Sequence, residues 1–291
     1  MHQPKGPTIA NIDGHEFNYC VSGNTGQPIV LLHGLASNLK IWGLVTPHLA
    51  QEHRVYAFDQ RGHGKTFKPE EGYDFGTMCT DLLSFLNHLQ ITKPILVGHS
   101  WGADVVLEFG THYPEYCKGI VMIDGGTIEP SARENWTLEI AKNEMAPPPF
   151  PGLTEIRLKE RFARRNDGVL ASVPEAFESV RGNFHEINGV LKPNLTFENH
   201  MRIIEALWNH YPSQLYQQIN IPCLFLPART KDASNHPDWY KRKAKFLEKA
   251  VTDISTCAVE WFEDSIHDVP LQRPELVATV INKYLKSGFF D

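Results

Sequence analysis

Several signals that would identify particular classes of protein are missing from this sequence. The five cysteines are odd in number and show no Cys-x-x-Cys spacing, so neither a disulfide framework nor a thiolate zinc site is indicated for Cys20, Cys79, Cys117, Cys223 and Cys257. We expect free thiols packed as small apolar side chains. Lys and Arg number 28 against 34 Asp and Glu, a net charge of -6, which argues against a nucleic-acid partner.

Long apolar runs are also absent. No stretch reaches the roughly 18 uninterrupted apolar residues that a membrane helix needs, and residues 1–17 lack the apolar segment of a signal peptide. We therefore expect a cytoplasmic protein with no membrane partner. The sequence also lacks an HExxH motif, an acidic calcium loop and a GxGxxG fingerprint, so we expect no metal and no cofactor.

What the sequence does contain is an alternation of short β-rich runs and longer helical patterns. An opening hairpin is predicted around the turn signal Asp13-Gly14. Nearly continuous apolar strands then follow at Pro28–His33, Val55–Asp59, Pro94–Gly98 and Gly119–Asp124. Strands of this kind suit a mostly parallel sheet that is covered by helices on both faces, so the pattern predicts an α/β fold.

The alternation stops after Gly125-Gly126 for about ninety residues and resumes with a strand at Ile221–Leu226. The intervening sequence indicates several helices. A length of 291 residues fits one large domain that carries an insertion. We therefore predict a core domain over residues 1–126 and 220–291, with a helical insertion over residues 127–219.

The most informative segment is Gly98-His-Ser-Trp-Gly102, a GxSxG sequence between a predicted strand and a predicted helix. A sharp turn from strand to helix leaves no room for side chains two residues on either side of the serine, which explains both glycines. The turn would expose the Ser100 hydroxyl and place the Trp101 amide at a helix N-terminus, where backbone N–H groups favour an anion. Ser100 is therefore our candidate nucleophile.

A serine hydroxyl needs a base within reach and a third group that orients the base. Among the 14 histidines, His267 lies in a loop between the last predicted strand and the final helix, where its side chain can reach the C-terminal edge of the sheet. We expect His267 to be this base.

On these residues the chain resembles the α/β-hydrolase family over nearly its whole length. His33-Gly34 is similar to the family's oxyanion loop, Asp59-Gln-Arg-Gly-His-Gly64 to its DxRGxG segment, and Gly98–Gly102 to its nucleophile elbow. The resemblance implies an eight-stranded, mostly parallel sheet with a helical cap inserted after strand 6. It also implies an oxyanion hole formed by the backbone N–H groups of Leu35 and Trp101.

The third member of the triad has two candidates. Asp232 follows the seventh predicted strand, where the family usually has its acid, although it falls about one residue late. Asp124, at the end of the sixth strand, is the alternative, because some members of the family have the acid there. We favour Asp232 over Asp124.

The resemblance implies a cofactor-free serine hydrolase that acts on a small-molecule acyl substrate, and we expect a carboxylic ester of a largely apolar compound. Amide or aminopeptidase, lactone, thioester, carbon–carbon bond and perhydrolase chemistry on the same triad stay open, as does a ligand-binding protein without turnover. Serine at position 100 disfavours the mechanism of family dehalogenases and epoxide hydrolases, which use Asp there. The insertion is rich in aromatic residues that are typical of an apolar pocket: Trp136, Phe150, Phe162, Phe184, Phe197, Trp208 and Tyr211.

Overall fold

An eight-stranded sheet forms the centre of the computed structural model, which describes residues 6–232 and 237–291. The strands are β1 Thr8–Ile12, β2 His15–Ser22, β3 Pro28–Leu32, β4 Arg54–Phe58, β5 Ile95–His99, β6 Gly119–Ile123, β7 Phe184–Ile187, β8 Val190–Pro193, β9 Cys223–Leu226, β10 Ala228–Arg229, β11 Cys257–Val259 and β12 Phe262–Glu263. The α-helices are α1 Thr46–Leu49, α2 Phe75–His88, α3 Trp101–His112, α4 Leu138–Glu144, α5 Glu155–Arg164, α6 Pro174–Arg181, α7 Phe197–Trp208, α8 Pro212–Leu215, α9 Pro237–Asp253, α10 Val269–Gln272 and α11 Pro274–Lys286.

The strand order in the main sheet is β1-β2-β4-β3-β5-β6-β9-β11. β2 pairs antiparallel with β1 and with β4, and every other neighbouring pair runs parallel. β1 and β2 form the predicted hairpin, with Asp13 and Gly14 both at positive φ in its turn. The predicted mostly parallel, eight-stranded sheet is therefore confirmed.

The central strands are buried on both faces because helices cover both sides of the sheet. In β3, Val30 and Leu32 pack into one apolar core together with residues of α2, α3 and α9. Ile29 and Leu31 point the other way, into a second core with residues of α1 and α11. Since successive side chains in a strand face opposite sides, only a continuous apolar run can fill both cores.

The chain between β6 and β9 leaves the main sheet and contains α4 to α8. It also contains a small antiparallel hairpin of β7 and β8, which the sequence analysis did not predict. The signal was present: Asn188-Gly189 occupies the turn, both residues have positive φ, and Asn-Gly is a preferred dipeptide of tight hairpins. We keep residues 127–219 as the proposed extent of this cap.

Two further observations concern the cysteines and the apolar character of the helices. Each of the five cysteines lies within the described ranges and is free. In the part of the chain that the structure describes, no helix combines the length and the apolar character that crossing a bilayer requires.

The cap contacts the core through a buried charged cluster. His210, between α7 and α8, has a fully buried side chain whose Nε2 lies 3.2 Å from Asp104 Oδ1 and whose Nδ1 lies 3.0 Å from Glu108 Oε1. Both carboxylates belong to α3, and the Phe75 ring stacks on the imidazole at 4.1 Å between ring centroids. Burial lowers the pKa of His210, but the hydrogen bonds to Asp104 and Glu108 outweigh it and raise the pKa to about 9.

We expect His210→Gln to lower the free energy of unfolding at pH 6.5 by about 3 kcal/mol, because the buried carboxylate of Asp104 and the partly buried one of Glu108 lose their cation. A histidine whose pKa is higher in the folded than in the unfolded protein stabilises the fold. This stabilisation is complete at pH values below the unfolded pKa of 6.5 and is lost as the pH rises above the folded pKa of about 9. The difference from the unmutated protein should therefore shrink as pH rises from 6.5 through 9. Urea unfolding across this range measures it, and an equal difference at pH 6.5 and pH 10 would contradict an imidazolium at this position.

Candidate active site

The turn between β5 and α3 holds Ser100 in a strained backbone conformation, with φ 54° and ψ -125°. Its neighbours leave no space for larger residues. A Cβ on Gly98 would lie 2.1 Å from the Gly102 carbonyl oxygen, and a Cβ on Gly125 would lie 2.2 Å from the carbonyl oxygen of Ser100. Real Cβ atoms do not approach so closely, so glycine is required at these positions for the turn to close. The predicted elbow geometry is present.

Trp101 and Leu35 are the residues that the family resemblance assigned to an oxyanion hole. Trp101 is the first residue of α3, so its N–H has no partner within the helix. Leu35 follows Gly34 in the loop after β3, and this loop approaches Ser100: a Cβ placed on Gly34 would lie 3.0 Å from Ser100 Cβ. Neither the Leu35 nor the Trp101 amide donates a hydrogen bond to another described residue. Both therefore remain available to an anionic oxygen.

The loop after β3 is held in place by the segment after β4. The Gln60 amide donates to His33 Nε2 at 3.0 Å, and its side-chain amide donates to the His33 carbonyl oxygen at 2.6 Å. The Ala36 amide donates to His63 Nε2 at 3.1 Å. Burial and the nearby His33 lower the pKa of His63 to about 3, so its ring is neutral and able to accept this bond. The DxRGxG segment thus positions the loop that carries Leu35.

His267 forms a short contact with Asp124, the alternative acid. His267 Nδ1 lies 2.6 Å from Asp124 Oδ2, while Asp232, the acid that we favoured, is exposed in the turn after β10. This contact favours Asp124 as the partner of His267. β6 lies beside β9 in the sheet, which places the residue after β6 at the edge that the histidine loop reaches. His267 and Ser100 both line one cavity, and the His267 side chain is 50% exposed there.

Lys243, on α9, contacts the other oxygen of the same carboxylate. Its Nζ lies 2.6 Å from Asp124 Oδ1, which also accepts the Ala228 amide at 2.9 Å. The side chains of Lys243 and Asp124 are only 9% and 6% exposed. Burial favours a neutral Asp124, but His267 and Lys243 together hold the pKa of this carboxyl well below its usual range. Asp124 is therefore an anion at neutral pH.

The sequence analysis did not find Lys243. It lies in a segment with several lysines, Lys241, Lys243, Lys245 and Lys249, and nothing in the spacing distinguishes the buried one. Lys243 is the buried lysine because the fold brings α9 against the end of β6, where it contacts Asp124.

The protonation of His267 reflects opposing effects. Burial lowers its pKa, but the hydrogen bond and the charge of Asp124 outweigh this, so that the pKa lies above its ordinary value. Lys243 acts in the opposite direction to Asp124. Because Asp124 occupies Nδ1, the ring nitrogen left to exchange a proton is Nε2.

His99, the residue before Ser100, holds the loop of His267. Burial and the nearby His267 lower the pKa of His99 to about 4, so its ring is neutral. Its Nε2 donates to the His267 carbonyl oxygen at 2.8 Å. The elbow and the histidine loop are therefore joined directly, although the sequence analysis gave His99 no role.

Two cavities meet at this site. The one lined by Ser100, Asp124 and His267 has a volume of about 750 Å³. The other, about 930 Å³, lies under the cap against Leu35, and Met145 lines both. Four of the aromatic residues noted in the sequence line the second cavity: Phe150, Phe162, Phe184 and Phe197. Within residues 6–232 and 237–291, no group of three or more His, Cys, Asp or Glu side chains is arranged to hold a metal ion.

Comparison with known proteins establishes the family. The family model of the alpha/beta hydrolase fold matches residues 27–239, so the chain belongs to the α/β-hydrolase fold family, as its motifs indicated. A soluble epoxide hydrolase from Corynebacterium sp. (strain C12) is 36% identical over 115 residues. That match spans 40% of this chain and 40% of the relative, so the chain matches less than half of the relative's length.

Solved structures share the fold over almost the whole chain. The structure of E-2-(acetamidomethylene)succinate hydrolase superposes with a TM-score of 0.78 at 20% identity and covers 98% of this chain and 100% of its own. A thioesterase domain from the curacin biosynthetic pathway superposes with a TM-score of 0.73 at 15% identity, over 97% and 100% of the two chains. At such identities the likeness defines the fold, and one fold supports many reactions.

We expect Lys243→Met to raise the pKa of His267, because a positive charge near the imidazole is lost while Asp124 stays in place. An NMR titration of the His267 ring protons measures the change directly. Lys241→Met is the matched control, since Lys241 lies two residues away with a side chain that is 76% exposed. A His267 titration midpoint that is the same in Lys243→Met and Lys241→Met would show that Lys243 does not act on this histidine.

Proposed function

We propose that the protein is a cofactor-free serine hydrolase that cleaves a carboxylic ester of a small to medium substrate through an acyl-enzyme. Ser100 is the nucleophile, His267 the general base and Asp124 the group that orients it. The observation that carries the proposal is the shared cavity: it contains a serine on a strained elbow and a histidine whose Nδ1 is bound to an ionised carboxylate. This combination is what activates a serine hydroxyl.

In the first step the Ser100 oxygen attacks the substrate carbonyl carbon while His267 Nε2 takes the hydroxyl proton. The carbonyl electrons move to its oxygen, and the Leu35 and Trp101 amides donate to that oxyanion. One such donor contributes about 3 kcal/mol in comparable sites. Asp124 keeps the proton on Nδ1 of His267 and stabilises the imidazolium that forms.

Collapse of this intermediate breaks the ester bond. The electron pair leaves with the alcohol oxygen, which takes the proton from His267, and the acyl group stays on Ser100. A water molecule then attacks the acyl carbon, with His267 again accepting a proton, and its return to Ser100 releases the carboxylic acid. Neither half of the cycle needs an oxidant, a reductant or any group other than water.

Other activities compete with this proposal. Amide, lactone, carbon–carbon bond and perhydrolase reactions would use the same triad, and a ligand-binding protein would keep the cavity without turnover. The name of the Corynebacterium relative also raises epoxide hydrolysis. Against that reaction stands the residue at the elbow, which is Ser100, where family epoxide hydrolases carry an aspartate.

We expect a burst of chromophore from the 4-nitrophenyl ester of a short-chain acid, since acylation of Ser100 precedes attack by water. A fluorophosphonate probe should add its mass to the tryptic peptide that contains Ser100. Ser100→Ala should abolish both the burst and the label. Ser287→Ala, a change near the C-terminus, is the control and should keep both.

Retention of the burst in Ser100→Ala would overturn the proposed nucleophile. Turnover of a styrene oxide substrate by the unmutated protein at rates above those on all esters would favour the epoxide reaction instead.

A further inference from the structure

The cavity that holds Ser100 and His267 carries positive charge although the whole chain has a net charge of -6. Five cationic side chains line it, against two acidic ones, Asp124 and Glu129. The cations are Arg133, Arg242, Lys243, Lys245 and Lys249. A cleft lined by one sign of charge concentrates ligands of the opposite sign. The distribution therefore indicates an anionic ligand.

Part of this charge is already neutralised by contacts inside the protein. Lys243 is bound to Asp124, and Lys249 Nζ lies 2.6 Å from Asp253 Oδ2. Glu129 accepts the backbone amide of Ser213 at 3.1 Å. The two arginines differ from these residues, because neither Arg133 nor Arg242 forms an ion pair with any acidic side chain in the described ranges.

Arg133 is held in place by aromatic rings. Its guanidinium carbon lies 4.0 Å from the centroid of the Trp136 ring and 5.3 Å from that of Trp239. Trp136 belongs to the cap, whereas Trp239 belongs to α9 of the core. Stacking of this kind fixes the plane of the guanidinium group and leaves its N–H donors free at the edge. The side chain is half-buried, so it is prepared for a ligand without further ordering.

The second arginine lies close enough to act on the first. Burial lowers the pKa of Arg133, and the charge of Arg242 lowers it further, against an opposite effect of Glu144. Two like charges that line one cavity repel each other, and an anion bound between them removes that repulsion. The two arginines therefore favour a compact, negatively charged group in the cavity that Ser100 also lines.

We propose that Arg133 and Arg242 bind a free carboxylate of the substrate, so that the substrates are esters whose acyl part carries a second, unesterified carboxylate, such as half-esters of dicarboxylic acids. This inference rests on the proposed function, because it states which charge is carried by the ester that Ser100 cleaves. A planar carboxylate matches the fork of a guanidinium group with two parallel hydrogen bonds. The apolar remainder of the substrate would occupy the second cavity, which Leu35 lines.

The test compares two esters that differ only in charge: the mono-4-nitrophenyl ester of glutaric acid and its methylated, neutral counterpart. We expect Arg133→Gln to reduce kcat/KM for the anionic ester by about 10- to 100-fold, since charge-assisted hydrogen bonds are lost, and to change the neutral ester less than about twofold. Arg133→Lys should lie between, because it keeps the charge and loses the fork.

Arg54→Gln is the matched control. Arg54 also lies over an aromatic ring, that of Tyr56 at 5.4 Å, but outside the residues that line the cavity, so the same change of charge should leave both esters unaffected. In the unmutated protein, glutarate should inhibit hydrolysis of the neutral ester competitively, and glutaramide, which has the same shape but neither a charge nor an ester bond, should not. This second measurement needs no variant and therefore does not depend on how Arg133→Gln folds.

Equal effects of Arg133→Gln on both esters, or inhibition by glutaramide as strong as by glutarate, would overturn the carboxylate site. Stronger inhibition by inorganic phosphate than by glutarate would also overturn it in favour of a phosphate group. Failure of the proposed function looks different: Ser100→Ala would then still turn over both esters. In that case calorimetric binding of glutarate to Ser100→Ala, with and without Arg133→Gln, still decides the anion site.

Discussion

The buried carboxylate of Asp124 is the group on which the geometry of the site depends. Its two oxygens contact three donors from three separate parts of the chain: the imidazole of His267, the ammonium group of Lys243 and the amide of Ala228. An unpaired charge at this depth would be costly, so the donors must be in place for the fold to be stable. The same contacts decide which ring nitrogen of His267 carries the proton, because Asp124 Oδ2 is bound to Nδ1.

The conformation of Ser100, the proposed nucleophile, depends on a second constraint, which is steric. The strained backbone of Ser100 persists because Gly98, Gly102 and Gly125 let three segments approach within distances that any side chain would prevent. The helix that follows the elbow then carries Asp104, four residues after Ser100, into contact with His210 of the cap. Asp104 also accepts the amides of Gly126 and Ile128, where the chain leaves the core. The proposed cap and the helix that follows Ser100 therefore share one charged cluster.

Local patterns in the sequence predicted the sheet, the elbow and the histidine loop, because each depends on residues close together in the chain. The acid could not be chosen in this way. Asp124 and Asp232 both follow strands, and the choice between them depends on which strand end faces His267, a relation between residues 143 positions apart. Lys243 and the contact of Arg133 with Trp239 were missed for the same reason. The hairpin of β7 and β8 was predictable, since its Asn188-Gly189 turn is a local signal.

The most direct measurement of the central claim is the proton on His267 Nδ1. A short hydrogen bond to a buried carboxylate shifts such a proton far downfield in the NMR spectrum, and its loss in His267→Gln distinguishes it from the ring protons of His210, which also contact carboxylates. We predict this resonance in the unmutated protein and in Asp232→Asn, and its loss in Asp124→Asn. Its loss in Asp232→Asn together with its survival in Asp124→Asn would contradict the account.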